Sequence, residues 1–339
     1  MNTTSNKRLI RKELNLDFGQ FFYPQERKKI FDVRYFSSKI NCDNGNKTEI
    51  KVSLFPAPSL GTLNTYDERV FYTLIELWQE QNKEDEIKFS MREIAQRIKT
   101  SWGNSTKRSI EDSLDRLTKA FFYWEGSFYD KESESYTTIK NPFTILSYLK
   151  IESSKNKGLS SPKGQVRFNE RILFNLKNQH SRPIPFNTIL SFNSPLAQAI
   201  YVLLTKKLYG TLEYSRTSEG LLVEDLNLLG KSYTYKSHRI KALTRVINEL
   251  KGKDLGFNEI IEKAHLNRKN KIDAVLEVTR SGSKRNKAVS LKSKEETTFF
   301  FNKLKSIDNS KSSLSPAIEE ILNYFDEQFS LISIKTQKV

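Results

Sequence analysis

The stretch from Leu221 to Lys253, LLVEDLNLLGKSYTYKSHRIKALTRVINELKGK, limits what this chain can fold into more than any other. It predicts a short helix over Leu221 to Leu229, a turn at Gly230-Lys231-Ser232, and a longer helix from about Tyr233 to Leu250. In the longer helix Ile240, Leu243, Val246, Ile247 and Leu250 recur at helical spacing, which predicts one buried stripe. A step of about 100° per residue puts Thr234, His238, Lys241, Arg245 and Asn248 on the opposite side. That side is polar and basic, with no acidic residue at its centre. A short helix, a tight turn and a basic second helix predict a helix-turn-helix whose second helix lies in a DNA major groove.

The charge distribution supports this reading. The formal net charge is +16 over 339 residues, but it is unevenly spread. Residues 1–60 carry 11 basic and 6 acidic side chains, and residues 61–150 carry 13 and 15. Residues 151–290 carry 25 and 12, and residues 291–339 carry 7 and 7. The excess therefore falls mainly in the region of the helix-turn-helix, the footprint of a polyanion-binding surface. A lysine-rich composition alone does not explain why residues 61–150 are slightly acidic. Hydrophobic residues at 37% and aromatics at 12% suffice for packed cores. One cysteine, Cys42, excludes an internal disulfide, and with three scattered histidines it argues against a structural zinc site. The amino terminus has no apolar stretch for a signal peptide, and no run approaches the roughly 18 apolar residues of a membrane helix. A cytoplasmic protein without a membrane partner is expected.

Residues 1–47 read as a polar, basic amino-terminal arm with a strand around Phe31 to Ser37. Ile50 to Phe55 alternates like a strand and ends at Pro56-Ala57-Pro58. A helix from about Tyr66 to Gln81 follows, with Thr65 as a possible cap. Next come a strand (Glu86 to Phe89), a helix (Met91 to Ile98) opened by a Ser90–Glu93 capping box, and a helix over Ser105 to Lys119. The strands Phe121 to Phe128 and Tyr136 to Leu149, joined by a polar tip, predict the wing hairpin. Residues 153–165, SSKNKGLSSPKGQ, read as a linker.

Beyond residue 165 the order returns: a helix from Pro195 to Tyr209, a strand from Leu212 to Ser215, the opening stretch, and a hairpin from Phe257 to Arg280. Phe71-Tyr72-Thr73-Leu74-Ile75 lies over Ile200-Tyr201-Val202-Leu203-Leu204 at an offset of 129, and Ile110, Leu114 and Leu117 lie over Leu243, Ile247 and Leu250 at 133. The expected fold is α+β: two tandem winged helix-turn-helix domains, with an arm before them and a tail after them. The boundaries read 1–47 for the arm, 48–152 for the first domain, 153–165 for the linker and 166–282 for the second domain. Residues 283–339 form a basic connector and a helical tail, with helices over Glu295 to Leu304 and Pro316 to Phe329.

No catalytic constellation emerges. Gly230-Lys231-Ser232 resembles the end of a phosphate-binding loop, but the glycine that motif requires is Asp225. His180, His238 and His265 stand far apart, without the His-x-His pair that would hold a metal beside a nicking tyrosine. A DNA-binding protein without cofactor or metal is expected, not an enzyme. The two predicted reading helices differ. Opposite its apolar stripe the first carries Arg108, Asp112, Asp115 and Lys119, whose charges cancel, and the predicted hairpin tip (Asp130, Lys131, Glu132, Glu134) is acidic. The second carries the basic face described above, and its hairpin tip carries Arg268, Lys269 and Lys271. The candidate DNA contacts are therefore Thr234, Lys236, His238, Arg239, Lys241, Arg245 and Asn248 on the second helix, Arg268, Lys269 and Lys271 at its tip, and Lys107 and Arg108 on the first.

Several stretches resemble the plasmid replication initiator protein A family of tandem winged-helix initiators. They include RKELNLDFGQFF (Arg11 to Phe22), GTLNTYDERVFYTLIELW (Gly61 to Trp78) and IEDSLDRLTKAFFYWEGSF (Ile110 to Phe128). FTILSYLKI (Phe143 to Ile151), VRFNERIL (Val166 to Leu173) and SPLAQAIYVLLTKKL (Ser194 to Leu208) add to them. The resemblance covers roughly residues 10 to 255 and rests on the order of these stretches. It implies binding of double-stranded DNA at origin direct repeats, opening of adjacent A+T-rich DNA, and recruitment of the host initiator and replicative helicase. It also implies a monomer–dimer equilibrium, with the first domain often serving the dimer interface, repression of its own gene by the dimer, and no enzymatic activity. A winged-helix transcriptional regulator at an operator and, from another class, a DNA-nicking initiator enzyme are the competing expectations.

Overall fold

A computed structural model describes residues 8–24, 30–41, 47–132, 135–152, 162–209, 211–228, 233–256, 259–268 and 272–281. The expected connector and tail helices after residue 282 lie outside these residues, as do Gly230-Lys231-Ser232, Lys269 and Lys271.

The chain begins with β1 (Leu9–Glu13), a 3-10 turn at Asn15–Asp17, β2 (Arg34–Asn41) and β3 (Lys47–Phe55). The first helix, α1 (Thr65–Glu80), is capped by Asn64, not by Thr65. The Asn64 side chain accepts from the Asp67 amide while the Asp67 carboxylate accepts from the Asn64 amide, a reciprocal box that satisfies two donors at the helix start. Thr65 is instead a buried first-turn residue. Next come β4 (Glu86–Ser90), α2 (Met91–Arg97) and α3 (Asn104–Lys119). Ser90 caps α2 as expected, but the Glu93 carboxylate turns to Arg97, 3.1 Å away. Three strands follow: β5 (Phe121–Asp130), β6 (Ser135–Thr144) and β7 (Leu146–Ile151).

The second half comprises β8 (Lys163–Phe168), α4 (Glu170–Lys177), β9 (Ser181–Pro185), α5 (Phe186–Ile189) and α6 (Pro195–Lys207). Then come β10 (Glu213–Thr217), a wide π-type helical turn at Gly220–Asp225, α7 (Lys236–Leu250), β11 (Asp254–Gly256), β12 (Glu259–Asn267) and β13 (Val275–Arg280). The short helix expected over Leu221 to Leu229 is thus a π-type turn that ends earlier.

Strand order identifies the two winged helices. One sheet runs β4-β8-β7 and another β10-β13-β12-β11, so the first three strands of each occupy equivalent places around equivalent helices. This overturns the expected first wing. The aromatic hairpin β5–β6 pairs through β5 with β3 in a separate sheet, β2-β3-β5-β6. The wing of the first unit is β7–β8, paired from Leu146 to Phe168. The stretch read as a linker therefore connects two neighbouring strands of one sheet, and Lys163 to Gln165 already belong to β8. Residues 153–161 themselves lie outside the described set.

The expected arm is equally integral. β1 pairs with β9, Leu9 opposite Pro185 and Glu13 opposite Ser181, so the amino terminus is a strand partner of the second half. A buried ion cluster fixes this junction: Asp17 is bonded by Lys12 at 2.8 Å and by Arg182. Burial alone would raise the Asp17 pKa, but the two cations draw it down to about 2. Leu16, Phe21, Phe71, Trp78, Phe122 and Trp124, with Tyr201 and Leu243 of the second half, belong to one continuous apolar core.

Candidate nucleic-acid interface

Helix α7 carries the candidate basic face. Leu243, Val246, Ile247 and Leu250 are buried against the body, and Ile240 is half-buried at the stripe's edge. Thr234, His238, Lys241, Arg245 and Asn248 are all exposed. Lys241 and Arg245 have no ion-pair partner among the described residues, so their charges face solvent undiminished. The helix has one acidic residue, Glu249, and it is engaged elsewhere. Its carboxylate accepts from the amides of Asn193 (2.9 Å) and Ser194 (3.3 Å), at the positive start of α6. Tyr235, 62% exposed and absent from the sequence-based candidates, begins the helix and packs edge-on against the His238 ring.

Arg239 does not belong to this face. It is 4% exposed and holds the helix in place. Its guanidinium donates to the carbonyls of Tyr233 (3.0 Å) and Thr234 (2.7 Å) and to Ser218 Oγ (3.1 Å), and stands 3.3 Å from the Asp273 and Glu219 carboxylates. Asp273 also accepts from Ser218 Oγ (2.6 Å) and from the amides of Glu219 (2.8 Å) and Ala274 (2.9 Å). Burial opposes ionisation of Asp273, but these donors and then Arg239 hold its pKa below the usual carboxylate range. The sequence did contain a signal. Arg239, Leu243, Val246 and Leu250 follow the i, i+4, i+7, i+11 pattern, so Arg239 lies in the buried stripe and requires a buried anion.

The wing reaches α7 through Arg268, whose Nη2 donates to Thr244 Oγ1 at 3.0 Å across an exposed contact. Lys236 is half-buried at the first turn. The structure thus brings Thr234, His238, Lys241, Arg245, Asn248 and Arg268 to one surface, and removes Arg239 from it.

The first unit differs as its sequence predicts. On α3, Lys119 is bonded to Asp115 (2.8 Å) and Lys107 stands 3.8 Å from Glu111. Arg116 is buried in a two-pronged bond to Asp67, both contacts 2.8 Å. Arg108 is exposed, and no ion pair holds it among the described residues. The acidic tip assigned to this unit's wing belongs to the β5–β6 hairpin instead.

Among the described residues no cluster of three or more His, Cys, Asp or Glu side chains could hold a metal, and no helix is long and apolar enough to cross a membrane.

Comparison with known proteins places this arrangement. The crystal structure of domains 2 and 3 of RctB superposes with a TM-score of 0.50 at 12% identity, over 78% of this chain and 95% of that one. A second structure of the same domains, from selenomethionine derivatives, gives 0.50 at 14%, over 76% and 93%. At such identities the likeness concerns the fold alone. The Pi initiator protein in complex with iteron DNA gives 0.42 at 16% identity, over 66% of this chain and 94% of that one. No curated protein matches the sequence. The family described as Initiator Replication protein, WH1 matches residues 12–205, more than half of the chain, and to that family of replication initiators the chain belongs.

Proposed function

We propose that the protein starts plasmid replication by binding short direct repeats of double-stranded DNA at the origin, with α7 as the reading helix. The observation that carries this reading is the exposed face of α7, where Lys241 and Arg245 have no ion-pair partner among the described residues and the helix's one acid is turned away onto α6. Lysine and arginine so placed neutralise phosphates, and Arg245 or Asn248 fits the edge of guanine or adenine. Arg268 on the wing extends the positive surface beyond the helix, and Lys269 and Lys271 continue it in sequence. The paired charges of α3 support a lesser part for the first helix in reading bases, with Lys107 and Arg108 as its contacts. Membership of the initiator family supports the further steps: opening of neighbouring A+T-rich DNA, recruitment of a host initiator and helicase, and self-association. The same membership supports a binding protein, not a nicking enzyme.

Footprinting on the DNA that flanks its own gene tests the proposal. Several evenly spaced, protected direct repeats are expected; a single inverted repeat at a promoter would instead mark a transcriptional regulator. Incubation with supercoiled origin DNA and a divalent cation should leave the circles closed.

A further inference from the structure

The equivalence of the two sheets lets their outer faces be compared position by position. In the first unit Glu86, Lys88 and Ser90 of β4 stand opposite Arg167, Gln165 and Lys163 of β8. Tyr148 and Lys150 of β7 flank Arg167 and Gln165 on the other side. In the second unit the same places hold Glu213, Ser215 and Thr217 of β10 opposite Thr279, Glu277 and Val275 of β13. Lys263 and His265 of β12 complete that face. Lys88 thus corresponds to Ser215, Lys163 to Val275 and Lys150 to His265. At these three positions the first sheet has lysines where its counterpart has a serine, a valine and a histidine bonded to Glu277 (2.7 Å), while Lys263 takes the place of Tyr148.

Lys88, Lys150 and Lys163 are exposed, and none has an ion-pair partner among the described residues. Lys88 and Lys150 sit on either side of Gln165 in one cross-strand row, with Lys163 two residues along β8. Nearby acids subtract little. Glu86 is bonded to Arg167 (2.7 Å) and Glu93 to Arg97 (3.1 Å), which leaves Glu152 against three lysines. Ile87, Phe89, Val166 and Phe168 face the other way, into the core, so this surface is separate from the helical side that holds α3.

We propose that the outer face of the β4-β8-β7 sheet is a second DNA-binding surface, which grips the phosphate backbone of duplex DNA without reading bases. The chemistry selects that ligand. The face offers flexible point charges and a single exposed aromatic, Tyr148, whose ring stands 6.0 Å from the Arg167 guanidinium, without the apolar cluster that anchors a protein partner. Protein interfaces are anchored by buried aromatic and apolar side chains, whereas backbone binding needs only neutralising cations. The second unit carries most of its free charge on α7, and the first adds this cluster on a sheet to Arg108 on α3. The inference rests on the DNA-binding reading above.

The test is the salt dependence of binding by the full chain to a 40-base-pair duplex of arbitrary sequence. Replacing Lys88, Lys150 and Lys163 with glutamine should flatten the slope of log K against log salt by about 2.7, at about 0.9 for each phosphate no longer neutralised. Arginine at all three positions should restore it. Preference for the footprinted DNA over the arbitrary duplex should stay within about twofold, because phosphate contacts carry no sequence information. Glutamine at Lys83, Lys177 and Lys207, exposed lysines elsewhere, controls for net charge. A wild-type slope in the sheet variant, or an equal flattening in the control, overturns the inference alone. A wild-type chain that binds no duplex overturns the functional reading and this inference with it.

Discussion

Replacing Arg239 with alanine separates a residue that holds α7 in place from the exposed residues proposed to read DNA. The guanidinium is almost wholly buried against Asp273, whose own side chain is 6% exposed. Its removal leaves Asp273 with three hydrogen-bond donors but no buried cation, and strips a donor from each of the Tyr233 and Thr234 carbonyls. Breaking one partner out of a buried pair costs about 3–5 kcal/mol, and the remaining donors to Asp273 favour the lower end. Arg239→Ala should therefore shift the urea midpoint to lower concentration by an amount equivalent to about 3 kcal/mol. Lys241→Ala, on the exposed face of the same helix, should stay within about 0.5 kcal/mol of wild type. Equilibrium unfolding followed by tryptophan fluorescence reports both. An Arg239→Ala protein with an unchanged midpoint and weakened DNA binding would refute the structural assignment and return Arg239 to the reading face.

Further outcomes follow from the same geometry. The double variant Lys241→Ala, Arg245→Ala should weaken binding to the footprinted DNA by at least about tenfold in a mobility-shift titration, at roughly 1–3 kcal/mol per reading contact. Arg108→Ala should cost less, and the reverse ranking would remove α7 as the anchor. Glu13 is fully buried, and burial pushes its pKa up to about 7, although Leu16, Asn175 and Asn15 all donate to its carboxylate. The folded state thus holds this proton more tightly than the unfolded one; the stability gained is full below about pH 4.5 and is lost as pH rises through about 7. The midpoint of unfolding should fall over that window, and Glu13→Gln should flatten the fall. A Cβ added at Gly164 would lie 2.4 Å from the Phe89 ring and 2.9 Å from the Lys150 carbonyl, so Gly164→Ala should destabilise the first wing by about 1–3 kcal/mol in the same unfolding assay.

Five helices were legible because local periodicity and caps determine them, whereas α4 and α5 went unread between the expected linker and Pro195. α1, α2, α3, α6 and α7 fall within a few residues of their expected places, and the exposed face of α7 is the one its period gives. The first wing was not legible, because strand pairing is decided by partners distant in sequence. Phe121 to Leu149 alternates as a wing hairpin should, yet Trp124 stands opposite Val52, a pairing nothing within the hairpin encodes. Ser, Lys, Gly and Pro between residues 153 and 165 suit a linker or the crossing between two wing strands equally well. The amino terminus was misread for a similar reason: a basic, polar run resembles an arm until Lys12 meets Asp17 and β1 finds β9. Arg239 was misassigned because charge was weighed before its place in the buried stripe.

These non-local pairings bear on how α7 is held. The π-type turn before α7 ends at Leu226, whose carbonyl accepts from Arg34 Nη2 at 3.1 Å. Arg34 lies at the start of β2, is wholly buried, and also donates to the carbonyls of Phe21 and Gln20, both 2.8 Å. Burial draws its pKa down to about 9, still well above neutrality, so it remains a cation held by carbonyl dipoles. Immediately beyond, Asn227 donates to the Tyr35 carbonyl, and on α1 Arg69 bonds Gln198 of α6 at 2.7 Å. Arg69 and Gln198 are separated by the offset of 129 that relates the two helices, so equivalent positions of the two units touch one another. Each grip joins the first half of the chain to the module that carries α7, and each uses side chains deep in the sequence or near its start. Strand β2 therefore braces the helix-turn-helix from a distance of almost two hundred residues. The first half of the chain thus fixes the position of α7, so that on the proposed reading it would orient the helix through side chains that need contact no bases themselves.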